Sequence, residues 1–229
     1  MFDLSNLNIT KVAFGISNMN ITNDTITVFY PKGSYSPSKG IVGGVGFYAS
    51  VGLHERLTFN YSVYFDDTFD PNLGGKLPGL FISNGSTHGA SGGKHDLYTA
   101  SCRIAWRKNF EAEAYVYTPK KKGELRRGGD DKLYGESFWR GDFFFNKQMW
   151  NNISLTIGLN TVGENDGVLN VTINNVTRAY DKMFWRNYNN VKISAVLFST
   201  FFGGSAPKTA TPVDTWTYFK DTSVSVAQR

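Results

Sequence analysis

Between Leu97 and Thr118 the chain reads LYTASCRIAWRKNFEAEAYVYT, and residues able to do chemistry recur at every second position. Successive side chains of a strand point to opposite faces, so Tyr98, Ala100, Cys102, Ile104 and Trp106 share one face, and Thr99, Ser101, Arg103 and Arg107 the other. Further on, Ala112, Ala114 and Val116 alternate with Glu111, Glu113, Tyr115 and Tyr117. The pattern predicts a hairpin turning at Lys108, Asn109 and Phe110, with its even-numbered residues buried. Ser101 then lies opposite Tyr117, and Arg103 opposite Tyr115. Directly opposed side chains are roughly 4.5–5.5 Å apart, so a guanidinium, a hydroxyl and two phenols share a patch that one sugar could cover.

A guanidinium holds a carboxylate through two parallel hydrogen bonds and stays charged. Phenols and amines both titrate near ~10 when unperturbed, and a neighbouring cation lowers a phenol. Such groups can trade a proton with a substrate, although an Arg and a Tyr on an exposed sheet face are also ordinary cross-strand partners. Glu111 and Glu113 offer a different chemistry. Carboxylates at i and i+2 sit about 6.6–6.8 Å apart, near the short end of the separations of inverting glycoside hydrolases. Their position beside the hairpin loop, at a sheet end, speaks against that use.

The elements that must position these groups are short strands. Segments 24–30, 41–51, 57–65, 138–146, 152–160, 167–176, 191–202 and 215–226 are β-type, separated by turn-like GEND, NYNN and GGSAPKTATP. LTFNYSVYF at 57–65 alternates without a break. The Gly- and Pro-rich run from Asp66 to Asp96 is read as long loops around a brief strand at Leu80–Ser83. No amphipathic helix interrupts the pattern. The expected fold is all-β, an antiparallel two-sheet β-sandwich of the jelly-roll type, with residues 1–229 forming one domain because no Pro/Ser-rich linker divides the chain.

Composition narrows the partners. The 24 Lys and Arg exceed the 19 Asp and Glu, for a net charge of +5, which favours an anionic partner: nucleic acid, acidic polysaccharide or acidic membrane. No nucleic-acid motif accompanies the charge, and no apolar run reaches the ~18 residues of a membrane span. PKKKGELRRGGDDKL at 119–133 carries six basic residues against three acidic ones, a solvated loop or a lid that steers an anionic chain. One cysteine, Cys102, rules out an internal disulfide and is read as a small core residue. The acidic turns DDTFD and GENDG lack the spacing of a calcium loop.

GGKLPGL at 74–80, GGKHD at 92–96, SCRIAWR at 101–107, YVYTP at 115–119, and FSTFFGG at 198–204 followed by DTWTYF at 214–219 together resemble polysaccharide lyase family 14, from about residue 43 to 226. The resemblance implies a jelly roll with an open cleft for an acidic glycan. It implies catalytic roles for Lys76, Ser101, Arg103, Tyr115 and Tyr117, and a binding role for His95. Arg107, Lys120 and Lys121 are added to the substrate-binding set. The implied activity is β-elimination on a polyuronate, glucuronan or alginate, in the breakdown of algal cell-wall or matrix polysaccharide, outside a cell or on a virion. Elimination needs a cation or donor on the carboxylate, a base for the proton on carbon 5 and an acid for the oxygen on carbon 4. Arg103 suits the first role, and Lys76, Tyr115 and Tyr117 share the other two in an order the sequence leaves open. The expectation is a monomer acting on anionic polysaccharide, with no cofactor, metal, nucleic acid or membrane. A jelly-roll glycoside hydrolase and a noncatalytic glycan-binding module are the alternatives.

Overall fold

The computed structural model describes residues 7–86, 89–120 and 134–226. Two seven-stranded antiparallel sheets face each other. In the first, the spatial order is β1 (Ile9–Phe14), β4 (Val45–His54), β13 (Lys192–Phe202), β6 (Gly74–Ser83), β7 (Ala100–Arg107), β8 (Glu111–Tyr117) and β9 (Glu136–Phe144). In the second it is β12 (Val176–Met183), β11 (Gly167–Ile173), β10 (Trp150–Gly158), β5 (Arg56–Phe65), β14 (Thr215–Ser225), β3 (Thr25–Tyr30) and β2 (Met19–Thr22). The non-sequential neighbours, such as β13 between β4 and β6, give the jelly-roll sandwich expected from the turn-punctuated strands.

The core lies between the sheets and is built from alternate residues of facing strands: Phe59, Tyr61, Val63 and Phe65 of β5 against Cys102, Ile104 and Trp106 of β7 and Ala112, Ala114 and Val116 of β8. Phe47 and Phe198 stack with ring centroids 4.9 Å apart, and Trp106 meets Phe65, Phe69 and Phe202 edge-on at 5.3–6.3 Å. Two of the buried aromatics also satisfy their polar tips. The Trp106 indole N–H donates to the Pro71 carbonyl at 3.1 Å, and the Tyr30 hydroxyl bonds Thr200 and Thr217 at 2.5 and 2.8 Å, joining the two sheets.

Three expectations need correcting. GGKLPGLFIS is no loop: Gly74–Ser83 is a ten-residue strand buried along its whole length. One extra residue bulges it between Lys76 and Gly79 against β7, so even-numbered Lys76 faces away from the core whereas even-numbered Leu80 and Ile82 enter it. That parity change, with Pro78 inside it, hides the strand from a period-two reading. Tyr98 precedes β7 and is exposed, stacked on Tyr188, rather than buried. The segment after Gly167 splits at Asn174 into two strands, β11 and β12. Strands β1 and β2 add pairs that sequence periodicity did not reveal.

The acidic turns serve the backbone. Asp66 accepts from the N–H and hydroxyl of Thr68, Asp70 from Asn72 N–H, and Asp166 from the N–H and hydroxyl of Thr161.

Candidate active site

The hairpin register is as the alternation predicts. Ser101 pairs with Tyr117, Arg103 with Tyr115, and Ala105 with Glu113, around a single 3-10 turn at Lys108–Phe110. Following the ladder outward from Arg103 gives one row across all seven strands of the first sheet: Lys11, Tyr48, Leu197, Gly79, Arg103, Tyr115 and Ser137. A second row runs beside it through Phe201, Lys76, Ala105 and Glu113. A cleft of about 750 Å³ lies over these rows, lined by Lys76, Arg103, Arg107, Tyr115, Tyr117 and Tyr48.

This face is not the exposed surface that alternation suggests. Arg103 is 4% exposed, Lys76 8%, Tyr117 2% and Ser101 wholly buried. A second apolar cluster explains the depth: Tyr48, Phe81, Ala90, Ala195 and Leu197 pack around Tyr117, with Tyr115 at their edge. The loop before β7 closes one side. Ser101 Oγ donates to the Ala90 carbonyl at 2.7 Å, and Gly93 N–H donates to the Tyr117 hydroxyl at 3.2 Å. Gly135 presses on both tyrosine rings, where an added Cβ would come within 2.9 Å of each.

The charges are poorly neutralised. The Arg103 guanidinium has no ion-pair partner among the described residues, and its Nε lacks any hydrogen bond. Burial depresses its titration, and the Tyr117, Tyr48 and Tyr115 phenols partly offset this. Lys76 Nζ lies 3.9 Å from the centroid of the Tyr115 ring, a cation–π contact. Burial, then the Arg107 and Arg103 charges, hold its amine well below the usual lysine range against a weaker opposing pull from Glu113. Tyr115 is pushed up to about 12, chiefly by burial and then by Tyr117, which interacts with it and hydrogen-bonds it. An amine inclined to be neutral thus sits against a phenol inclined to keep its proton.

The arrangement can hold an anionic sugar, take one proton and give another. A polysaccharide lyase 14 family model matches residues 18–222. The chain belongs to the polysaccharide lyase 14 family, and with it to the polysaccharide lyases. Among solved structures it is similar to the marine PL-14 alginate lyase from Aplysia kurodai, with 30% identity, 95% of this chain and 91% of that one covered, and a TM-score of 0.82. An alginate lyase from Chlorella virus has 26% identity, coverage of 96% and 93%, and the same TM-score of 0.82. Exolysin of Paramecium bursaria Chlorella virus 1 is 24% identical over 196 residues, 76% of this chain but 30% of Exolysin, so the chain spans under a third of that relative's length.

Within this lyase-family fold the sequence-selected residues divide. Lys76, Arg103, Arg107, Tyr115 and Tyr117 line one cleft. Ser101 lies under it with its hydroxyl committed to Ala90. His95 is half-buried at the edge, its ring 5.1 Å from that of Tyr117 and its Nδ1 donating to the Thr118 carbonyl at 2.9 Å. Lys120 is tied by its backbone to Asp96 and Asn187 and is not among the cleft-lining residues. Lys121, Lys122 and the rest of the basic stretch to Leu133 lie outside the described residues, as does His88.

Sequence reasoning missed Tyr48, and considered Glu113 only as half of a hydrolase carboxylate pair. Tyr48 faces Arg103 from β4, where Gly46 and Ser50 alternate with core-facing Phe47 and Ala49, a signal masked by the neighbouring glycines. Glu113 is fully buried and accepts from Arg107 through both Nε and Nη2, and from Ser137 Oγ at 3.1 Å. A carboxylate held in this way is unsuited to the acid–base pair of a glycosidase.

Proposed function

We propose that this chain cleaves a polyuronate, alginate or glucuronan, by β-elimination in the cleft over β6, β7 and β8. The observation that carries the reading is a buried guanidinium with no carboxylate partner among the described residues, set beside an amine and two phenols. Arg103 pairs with the uronate carboxylate and stabilises the charge that builds there as the carbon 5 proton leaves. Neutral Lys76 takes that proton. The freed electron pair forms the carbon 4–carbon 5 double bond as the bond from carbon 4 to the glycosidic oxygen breaks, and Tyr115 donates its proton to the departing oxygen. Tyr117, accepting from Gly93 N–H, orients Tyr115 through their mutual hydrogen bond, and Ser101 holds the loop that supplies Gly93 in place. His95 and Arg107 flank the bound chain. Two similar proteins are described as alginate lyases, which supports a polyuronate substrate. Its source would be an algal wall or matrix.

The test is incubation with alginate, glucuronan and polygalacturonate while following ultraviolet absorbance from the new double bond. A rise on alginate or glucuronan is expected. Reducing ends without absorbance would mean hydrolysis, and binding without either would mean a noncatalytic glycan module.

A further inference from the structure

Glu113 has no part in the elimination as written, yet it is the most completely buried charge at the site, at 0% exposure. In the ladder it stands in one row with Lys76, separated by Ala105. Its Oε1 is crowded by donors: Arg107 Nε at 2.9 Å, Ser137 Oγ at 3.1 Å, and Arg107 Nη2. Among the described residues its Oε2 has no hydrogen bond, and Arg140 Nε stands 3.9 Å away. Opposite Glu113, β9 departs from the ladder: Ala112 pairs with Phe143 and Ala114 with Phe138, so residues 139–142 bulge out and carry Arg140 over Glu113 and Glu111. Arg107, held by Glu113, lies with its Cζ 5.4 Å from the Tyr115 ring centroid, the ring that Lys76 also contacts.

Burying a carboxylate is costly unless its partners need it. Packing alone would be met here by an apolar residue. We propose that Glu113 is a positioning residue, whose buried carboxylate pins Arg107 against Tyr115 and supplies the negative charge that balances the Lys76, Arg103 and Arg107 cluster. This rests on the lyase reading for its purpose but not for its geometry. The groups that set the state of Lys76 are then Arg107 and Arg103 from β7, and Glu113 and the Tyr115 ring from β8, with apolar Phe201 facing it from β13.

Charge and position separate in two variants. Glu113→Gln keeps the shape and removes the charge; Glu113→Asp keeps the charge and withdraws it by one methylene. The midpoint of the Lys76 amine is read without substrate, by an NMR titration of lysine side chains with the resonance assigned through Lys76→Met. In Glu113→Gln it is expected to fall by about one pH unit, because an opposing charge is lost from a cationic cluster, and the acid limb of the rate profile should fall with it. In Glu113→Asp the midpoint should hold while KM rises about tenfold as Arg107 loosens, the scale of one charge-assisted hydrogen bond. Arg107→Gln should move the midpoint the other way, upward, and stands in if Glu113→Gln does not fold. If midpoint and KM stay at parent values in the Glu113 variants and melting temperature alone drops, the proposal is overturned. If the parent cleaves no polyuronate, the lyase reading fails while the Lys76 titration still decides the role of Glu113.

Discussion

Replacing Arg103 separates a catalytic cation from a structural one. A structural arginine at 4% exposure would be paired, and its removal would strand a buried acid at a cost of about 3–5 kcal/mol. Among the described residues Arg103 has no such acid, and its Nε makes no hydrogen bond. Arg103→Met, which keeps an unbranched stem, is therefore expected to melt no lower than the parent. Activity should behave differently. A carboxylate about 4 Å from a guanidinium interacts by about 4 kcal/mol at an effective dielectric of 20, and the share that grows in the transition state is what the rate measures. Loss of a preorganised donor of this kind costs about 3–4 kcal/mol, or about 10²–10³ in kcat. Arg103→Lys should recover only part of it, because an ammonium offers a point charge in place of a two-pronged fork. The assay pairs initial rates of absorbance increase on alginate with thermal melts of the same preparations. Turnover of Arg103→Met within a few-fold of the parent, or a loss of stability in step with the loss of rate, would refute the reasoning.

The remaining predictions concern protons and steering. With Lys76 depressed and Tyr115 near 12, the rate should rise with pH through the depressed amine midpoint and stay high into the alkaline range, and a rate falling as pH rises through that region would contradict Lys76 as base. Because the folded amine titrates below its unfolded value of ~10.4, the unfolded chain binds the extra proton between the two, so stability should climb with pH across that window by about 1.4 kcal/mol per unit of depression. Lys76→Met should abolish this slope in pH-dependent denaturant melts, raise stability at neutral pH and leave no measurable turnover. Tyr115→Phe keeps the ring under Lys76 and removes the donated proton, so kcat should fall about 10²–10⁴-fold with KM little changed. Replacing Lys120, Lys121 and Lys122 together by Ala should raise KM and flatten its salt dependence while kcat holds within a few-fold.

How far the site was legible depends on which residues keep a simple period. The hairpin was readable because Cys102, Ile104 and Trp106 face Ala112, Ala114 and Val116 without interruption, and the register then follows. Lys76 could be placed only by family resemblance, because the bulge after it reverses inside and outside and Pro78 masks the strand. The depth of Arg103 could not be read at all. Alternation assigns a face, but whether that face is wet depends on Tyr48, Leu197 and Phe81 arriving from β4, β13 and β6, of which β4 and β13 are distant in sequence. Glu113 was misjudged for the same reason: as half of an i, i+2 carboxylate pair it suggested hydrolysis, and what disqualifies it is Arg107, two residues beyond its ladder partner Ala105.

One strand couples the two faces. Along β7 the residues that hold the sheets together alternate with the residues of the cleft: Cys102, Ile104 and Trp106 enter the main core, while Ser101, Arg103 and Arg107 turn the other way. A guanidinium unpaired among the described residues and a depressed amine both weigh against folding, and the second apolar cluster that dries them makes that cost larger. It also makes them useful, since a buried charge acts on a bound carboxylate with little screening and a desolvated amine gives up its proton more readily. The opposing stabilisation must come from the inter-sheet core, where deleting an aromatic such as Trp106 typically costs about 3–5 kcal/mol. Because the same backbone carries both, a core substitution on β7 that shifts the strand by a few tenths of an ångström should reach the rate before it reaches the fold.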